Sequence, residues 1–175
     1  ENELEVWARG FRQRFVPVAR YGICYASGEL GPKRKQGDLQ VPEGFYTLPW
    51  FDPASRYHLA MLVSYPSRSD KVWGDRVDPG DGIMIHGSCV SVGCISMSDA
   101  RIEELWTMAR ASPKPIRVHM FPARDMGALL DDPKWSRHHA FWRNLDEGKR
   151  YFETHRRLPR VRVDNHGRYR FLSHR

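Results

Sequence analysis

The sequence predicts an α+β fold rich in strands, and three features carry that prediction. Alternating and compact apolar runs dominate the first half of the chain. One amphipathic helix stands in the middle, and a second helix followed by a hairpin pattern closes it. A chain of 175 residues is one domain with room for an appendage. At that length it buries roughly 70% of its unfolded surface and folds without staples. Apolar residues make up 41% and charged residues 28%, and no apolar run is long enough to span a bilayer. Wholesale disorder is excluded with the transmembrane helix. Residue 1 is Glu rather than Met, so a leader is expected to have been removed upstream.

In chain order, Leu4, Val6 and Ala8 alternate with polar residues, and Phe15 to Ile23 is β-rich around Pro17. Residues 28–44 read GELGPKRKQGDLQVPEG, whose glycines, prolines and Lys33-Arg34-Lys35 run predict a long loop. His58–Tyr65 is a compact apolar strand, and the turn-rich residues 66–82 lead into Ile83-Met84-Ile85, ending at His86. Ser98 caps the clearest helix, with Met97 placed to staple onto Ile102. Ile102, Leu105, Trp106 and Ala109 give its apolar face, and Pro113 and Pro115 end it. Ile116–Phe121 alternates as a strand. Asp132-Pro133 opens the second helix, with Trp135, Trp142, Leu145 and Phe152 on roughly one face. Val161–Val163 and Tyr169–Leu172 flank a turn as a hairpin.

The net charge of +7 is confined to one end. Residues 149–175 hold nine basic and two acidic side chains, while residues 1–148 are balanced. Such a run suits an anionic partner, or simply a solvated face. No nucleic-acid motif accompanies it, so no nucleic-acid partner is expected.

Chemistry concentrates in residues 82–97, GIMIHGSCVSVGCISM. A strand delivers His86 to its end, a Gly/Ser-rich loop follows, and Cys94 sits just before a helix start. A thiolate is favoured near a helix N-terminus or a histidine, and flanking glycines expose amides to a reacting carbonyl oxygen. His86 and Cys94 therefore read as base and nucleophile. Two alternatives stand beside this. Cys24 and Cys89 read as small buried hydrophobes, and the same could hold for Cys94. His86, Cys89 and Cys94 could instead be metal ligands, although a lone Cys-x4-Cys lacks the paired spacing of zinc sites.

The segment resembles the active-site motif of the L,D-transpeptidase catalytic domain (YkuD-type) family: His86-Gly87 after a strand, then Ser91-Val92-Gly93-Cys94, then Ile95 and, after Ser96, Met97. It is similar in particular to the YafK-like branch, through Gly31–Arg34 with Gly37-Asp38, Pro42–Tyr46, Tyr57–Ala60, Ile83–Gly87 and Ile102–Glu104. The resemblance implies a YkuD-like β-sandwich or curved mixed sheet, one helix after the catalytic cysteine and a C-terminal helix-hairpin extension. It implies a catalytic domain over 1–123 and a helical, basic extension over 124–175 packed on it.

It further implies an extracytoplasmic, periplasmic enzyme acting on peptidoglycan stem peptides, with a wall-attached lipoprotein as a further possible partner and no metal or organic cofactor. Cys94 takes the nucleophile's place and His86 that of the general acid/base. Amides around Ser91, Val92 and Gly93 would hold the oxyanion. The family's His directly before Gly-Cys and its Arg two places after the Cys are here Val92 and Ser96. Lys33 or Arg34 is then expected to meet a substrate carboxylate, with solvated loop charges as the alternative; Tyr57 and His58 are expected to line the cleft. Transpeptidation, hydrolytic release of a D-amino acid or an attached protein, and non-catalytic wall binding are the three outcomes open at this point.

Overall fold

The computed structural model describes residues 2–172, so Arg175 of the basic run lies outside the described residues. The chain opens with an antiparallel hairpin, β1 (Glu3–Ala8) and β2 (Val16–Gly22). Its register shifts between Val6 and Trp7, and this bulge seats Pro17, which has no amide to give a regular ladder. Short strands follow: β3 (Tyr25–Ala26), β4 (Gly44–Thr47), β5 (Trp50–Asp52) and β6 (Ala60–Leu62). Helix α1 (Arg68–Trp73) falls in the stretch expected to be turns. Ser67 Oγ accepts from the Asp70 amide and the Asp70 carboxylate accepts from the Ser67 amide, a reciprocal cap that lets six residues hold a helix.

The central sheet has the order β3-β8-β7-β6-β5, completed by β7 (Met84–His86) and β8 (Ile95–Ser96). Only β7 and β8 run parallel within it. Parallel neighbours usually need a crossover of a dozen or more residues. Strands this short need only residues 87–94 to bring the chain back. Ile85, Ile95 and Met97 face a core shared with Met61, Val63 and Tyr46. Helix α2 (Asp99–Ala111) closes that core with Ile102 and Leu105, as its periodicity predicts. Each such side chain, fully buried, contributes about 1.5–3 kcal/mol.

Beside this core lies a second one. β9 (Arg117–Met120) pairs with β4, then α3 (Gly127–Asp131), a 3-10 turn (Pro133–His138) and α4 (His139–His155) follow. Pro133 starts the 3-10 turn rather than the helix proper. The final hairpin is β10 (Arg160–Val163) with β11 (Tyr169–Leu172). Met126, Phe141, Trp142, Leu145 and Tyr169 form the second core. Gly148 is required there: a Cβ would stand 2.4 Å from Phe171 and 2.5 Å from Phe45. The basic run is thus a helix end and a hairpin. Lys149, Arg150 and Arg170 pair with Glu153, Asp146 and Asp164. Among the described residues, Arg156, Arg157, Arg160, Arg162 and Arg168 have no carboxylate partner.

Candidate active site

Strand alternation sorts the central sheet into two faces. Ile85 lies opposite Ile95 and both point into the core, so Met84, His86, Cys94 and Ser96 take the other face. His86 is level with Ser96 and next to Ala60. Cys94, one residue before β8, is level with Met84. The two candidate residues, Cys94 and His86, therefore sit on one face of adjacent strands, on a diagonal. The eight-residue return places them so: it brings Cys94 back to the start of the strand that ends in His86.

His86 is buried, and its Nδ1 lies 2.7 Å from the Gly87 carbonyl oxygen. A carbonyl only accepts, so Nδ1 carries the hydrogen and Nε2 keeps its lone pair. Burial lowers the pKa of this ring against the raising effect of that carbonyl, so the imidazole is neutral at neutral pH. Tyr57 packs over it, ring centroids 4.9 Å apart. Gly87 must be Gly: a Cβ would meet Asp99 Oδ1 at 2.7 Å and His58 Cβ at 3.0 Å.

Cys94 is half-buried and free. Its Sγ accepts from the Met84 amide at 3.4 Å and faces the Gly82 carbonyl at 3.8 Å. Burial pushes the thiol up, opposed by the Met84 amide and the charge of Lys33. The expected low thiol pKa is therefore not found. The reason is local: β8 and Ser98 separate Cys94 from α2, whose N-terminus is one strand further on. Both shifts favour the uncharged forms, a thiol and an imidazole.

The loop between them is tied at several points. Ser88 and Cys89 adopt left-handed backbone, with φ of 69° and 47°, and turn the chain sharply after Gly87. Cys89 is bonded to Cys24, which corrects the reading of these two as buried hydrophobes. Both are exposed, and a disulfide sulfur is no thiolate ligand, so the three-ligand metal alternative falls with it. Gly93, at φ 81°, donates its amide to Ser27 Oγ at 2.6 Å. Ser91 Oγ accepts the Cys94 amide at 3.0 Å and donates back to the Cys94 carbonyl at 2.7 Å. Of the amides expected to face an oxyanion, that of Gly93 is therefore engaged by a hydroxyl, as is that of neighbouring Cys94. Among the described residues the Val92 amide has no such partner.

The loop candidates separate. Lys33 is only 4% exposed and donates to Asp38 Oδ1 and the Lys35 carbonyl, each at 2.8 Å. It is a buried cation whose field reaches Cys94, not a solvated loop charge. Burial works against it, but Lys33 and the amides of Arg34, Lys35 and Gln40 hold the Asp38 carboxyl below the usual range. Arg34 turns away to the second core, its guanidinium 4.7 Å from the Phe141 ring and facing Asp70 and Glu43. It does not reach the cleft. His58 lies beside Gly87, yet its Nε2 pairs with Glu103 of α2 at 2.7 Å.

Residues that sequence reasoning passed over join the same face. Trp50 and Asp52 pair with Leu62 and Ala60, and Tyr25 with Ser96. Trp50 and Tyr25 are 49% and 50% exposed, so a half-open aromatic stands at each edge of the sheet that carries Cys94 and His86. Strands of two and three residues leave no alternation long enough to reveal them. Ser27 is missed for a different reason, since its bond to Gly93 spans 66 residues.

The family model of the L,D-transpeptidase catalytic domain, YkuD, matches residues 6–118. The chain is 40% identical over 175 residues to YafK of Escherichia coli, whose name carries the L,D-transpeptidase assignment provisionally; 97% of this chain and 69% of YafK are covered. A mutant of the helical cell shape determining protein Pgp2 from Campylobacter jejuni superposes with a TM-score of 0.59 at 22% identity, over 86% of this chain and 52% of that one. A second Pgp2 structure gives 0.52 at 20% identity, over 94% and 70%. At those identities the likeness is one of fold. The chain belongs to the L,D-transpeptidase catalytic domain family.

Proposed function

We propose that the chain is a peptidoglycan-modifying cysteine enzyme in which Cys94 is the nucleophile and His86 the base. The observation that carries this is the shared sheet face, with His86 held by the Gly87 carbonyl in the tautomer that leaves Nε2 free. Diagonal neighbours on one face stand within reach of a long or aromatic side chain, and apo contacts of this kind tighten when substrate binds.

Rotation about χ1 swings Sγ from Met84 toward His86, and Nε2 takes its proton. The sulfur attacks the carbonyl at the L-centre of the diamino acid, the third residue of the stem peptide. The Val92 amide donates to the oxyanion first, joined by the Gly93 amide when substrate displaces the Ser27 hydroxyl. His86 returns its proton to the leaving amine as the amide C–N bond breaks, and a thioester on Cys94 remains. That leaving amine is a D-amino acid or an attached protein; an amine acceptor then regenerates the thiol by transpeptidation, and water does so by hydrolysis, releasing the shortened stem peptide. Lys33 lies near enough to favour the departing charge or a substrate carboxylate.

Residues 1–123 form the catalytic part in this reading and residues 124–175 the extension. The Cys24–Cys89 disulfide supports an oxidising, extracytoplasmic setting, since such bonds persist there. Among the described residues no helix is long and apolar enough to cross a membrane. Incubating the protein with purified tetrapeptide muropeptides and weighing the products tests the proposal. Cross-linked dimers identify a transferase and tripeptides a hydrolase. Unchanged muropeptides with folded protein would overturn it.

A further inference from the structure

The C-terminal extension and α1 together build a second cleft, whose lining does not include Cys94. Its walls are the end of α1, the middle of α4 and the turn of the last hairpin, and it encloses about 340 Å³, lined by Trp73, Phe141, Arg143, Glu147 and Arg168 among others. That size lies in the range of small-ligand pockets, which are mostly apolar with a few placed polar groups. The walls are fixed to one another. Ser69 Oγ donates to the Gly167 carbonyl at 2.6 Å, and Arg68 donates to Asn165 Oδ1 at 2.6 Å. Asn144 at the floor exchanges hydrogen bonds with the Tyr169 backbone, at 2.8 and 3.0 Å. Trp73 lies against Gly167, where a Cβ would sit 2.6 Å from the indole Nε1, and the ring is still 46% exposed.

We infer that this cleft binds an N-acetylated pyranose carrying an acidic peptide, which makes it a second wall-binding site separate from the thiol. An indole left half open beside an apolar floor suits the C–H face of a sugar ring, which stacks as other flat apolar surfaces do. The rim supplies two guanidiniums, of Arg143 and Arg168, and among the described residues neither pairs with a carboxylate. Guanidinium forks match carboxylates bidentately, so an anionic substituent next to the ring completes the site. Glu147, near Asn144 Nδ2 at 3.4 Å, offers an acceptor for a sugar hydroxyl or an acetamido N–H. Occupying this cleft would hold the wall polymer on the extension while a neighbouring stem peptide reacts. The link to the wall rests on the proposed function; the chemistry of the cleft does not.

N-acetylmuramyl-L-alanyl-D-glutamate is the probe, because it lacks the third residue and so offers Cys94 nothing to attack. Titration followed by saturation-transfer NMR should give the same dissociation constant for the wild type and Cys94→Ala. Arg143→Ala, at an exposed helix position, should weaken binding about tenfold at low salt and less at high salt. Trp73→Ala should abolish the transfer to the sugar protons, and Trp73→Phe, which keeps a ring against Gly167, should restore it. Chitobiose, with the acetamido sugar but no carboxylate, should bind weakly and ignore Arg143→Ala. Equal binding by Arg143→Ala and wild type would overturn the inference. So would tighter binding of uridine monophosphate than of the muramyl peptide. Failure of the probe to bind would refute this site and leave the thiol chemistry, read on tetrapeptide muropeptides, standing.

Discussion

Removing the Cys24–Cys89 bond with the double variant Cys24→Ser/Cys89→Ser should lower stability sharply while leaving the fold recognisable. The two residues are 65 apart in sequence. Closing a loop of that length in the unfolded chain removes entropy equivalent to about 4 kcal/mol at 25 °C. Unfolding entropy of roughly 2.1 cal/mol/K per residue converts this, for a chain of 175 residues, into a fall in Tm of about 11 °C. The loss also has a local side. Cys89 sits between His86 and Cys94, next to Ser88, and both hold left-handed backbone that side chains disfavour. Without the tie to Cys24 the loop relaxes, and the Val92 and Gly93 amides lose their fixed position. Differential scanning calorimetry of oxidised wild type against the double variant measures the shift. A thiol count in denaturant gives the companion reading: one without reductant, three after reduction. A Tm within 2 °C of wild type, or three thiols in unreduced protein purified from an oxidising compartment, would refute the reasoning.

Other outcomes follow from the same structure. Because burial raises the Cys94 thiol, iodoacetamide should modify it more slowly at pH 7 than it does a free cysteine peptide, with the rate climbing above pH 9. Faster labelling than the peptide would contradict the burial argument. Glu43, buried against Trp142, has its carboxyl pushed up to about 7 by burial, against the pull of the Trp142 N–H. The folded state then keeps a proton that the unfolded chain releases between pH 4.5 and 7, so stability contributed here is present at low pH and lost as pH rises through that window. The loss is about 3 kcal/mol. Glu43→Gln keeps an acceptor for Trp142 and should flatten the decline in urea midpoint between pH 5 and 8; parallel profiles would show that Glu43 is not its source. Replacing Arg160 and Arg162, exposed on the outer face of the hairpin, with Gln should reduce binding to isolated sacculi at low salt more than at high salt. Binding that ignores salt would return these arginines to a solubilising role.

What could be read from the sequence was whatever had period or punctuation. Helix α2 came within one residue of its predicted start and end because Ser98, the Ile102–Ala109 stripe and Pro113 all agree. The last hairpin was equally plain, with two valines and a Tyr/Phe pair flanking a Gly turn. Helix α1 was missed because six residues give no period and Asp70 stands where a capping box usually has Glu or Gln. Within the site, His86 and Cys94 could be placed near each other from their motif, but not on a diagonal, because that depends on how far an eight-residue loop returns. The directions of Lys33 and Arg34, adjacent in the chain, are set by partners that sequence does not display: Asp38 for one, Phe141 and Asp70 for the other. The disulfide joins cysteines whose spacing carries no signal, and the thiol's raised pKa depends on burial that only the packed sheet reveals.

The central claim is that His86 activates Cys94 for thioester formation, and one measurement addresses it without intermediate steps. Wild type and His86→Ala are mixed with a purified tetrapeptide muropeptide, quenched in acid at intervals and weighed intact. The account predicts an adduct on Cys94 equal to the muropeptide less its fourth residue, formed about 10²–10⁴ times more slowly in the variant, a barrier increase of about 3–5 kcal/mol. A folded His86→Ala protein that acylates at the wild-type rate, or an adduct that forms on any residue other than Cys94, would contradict it.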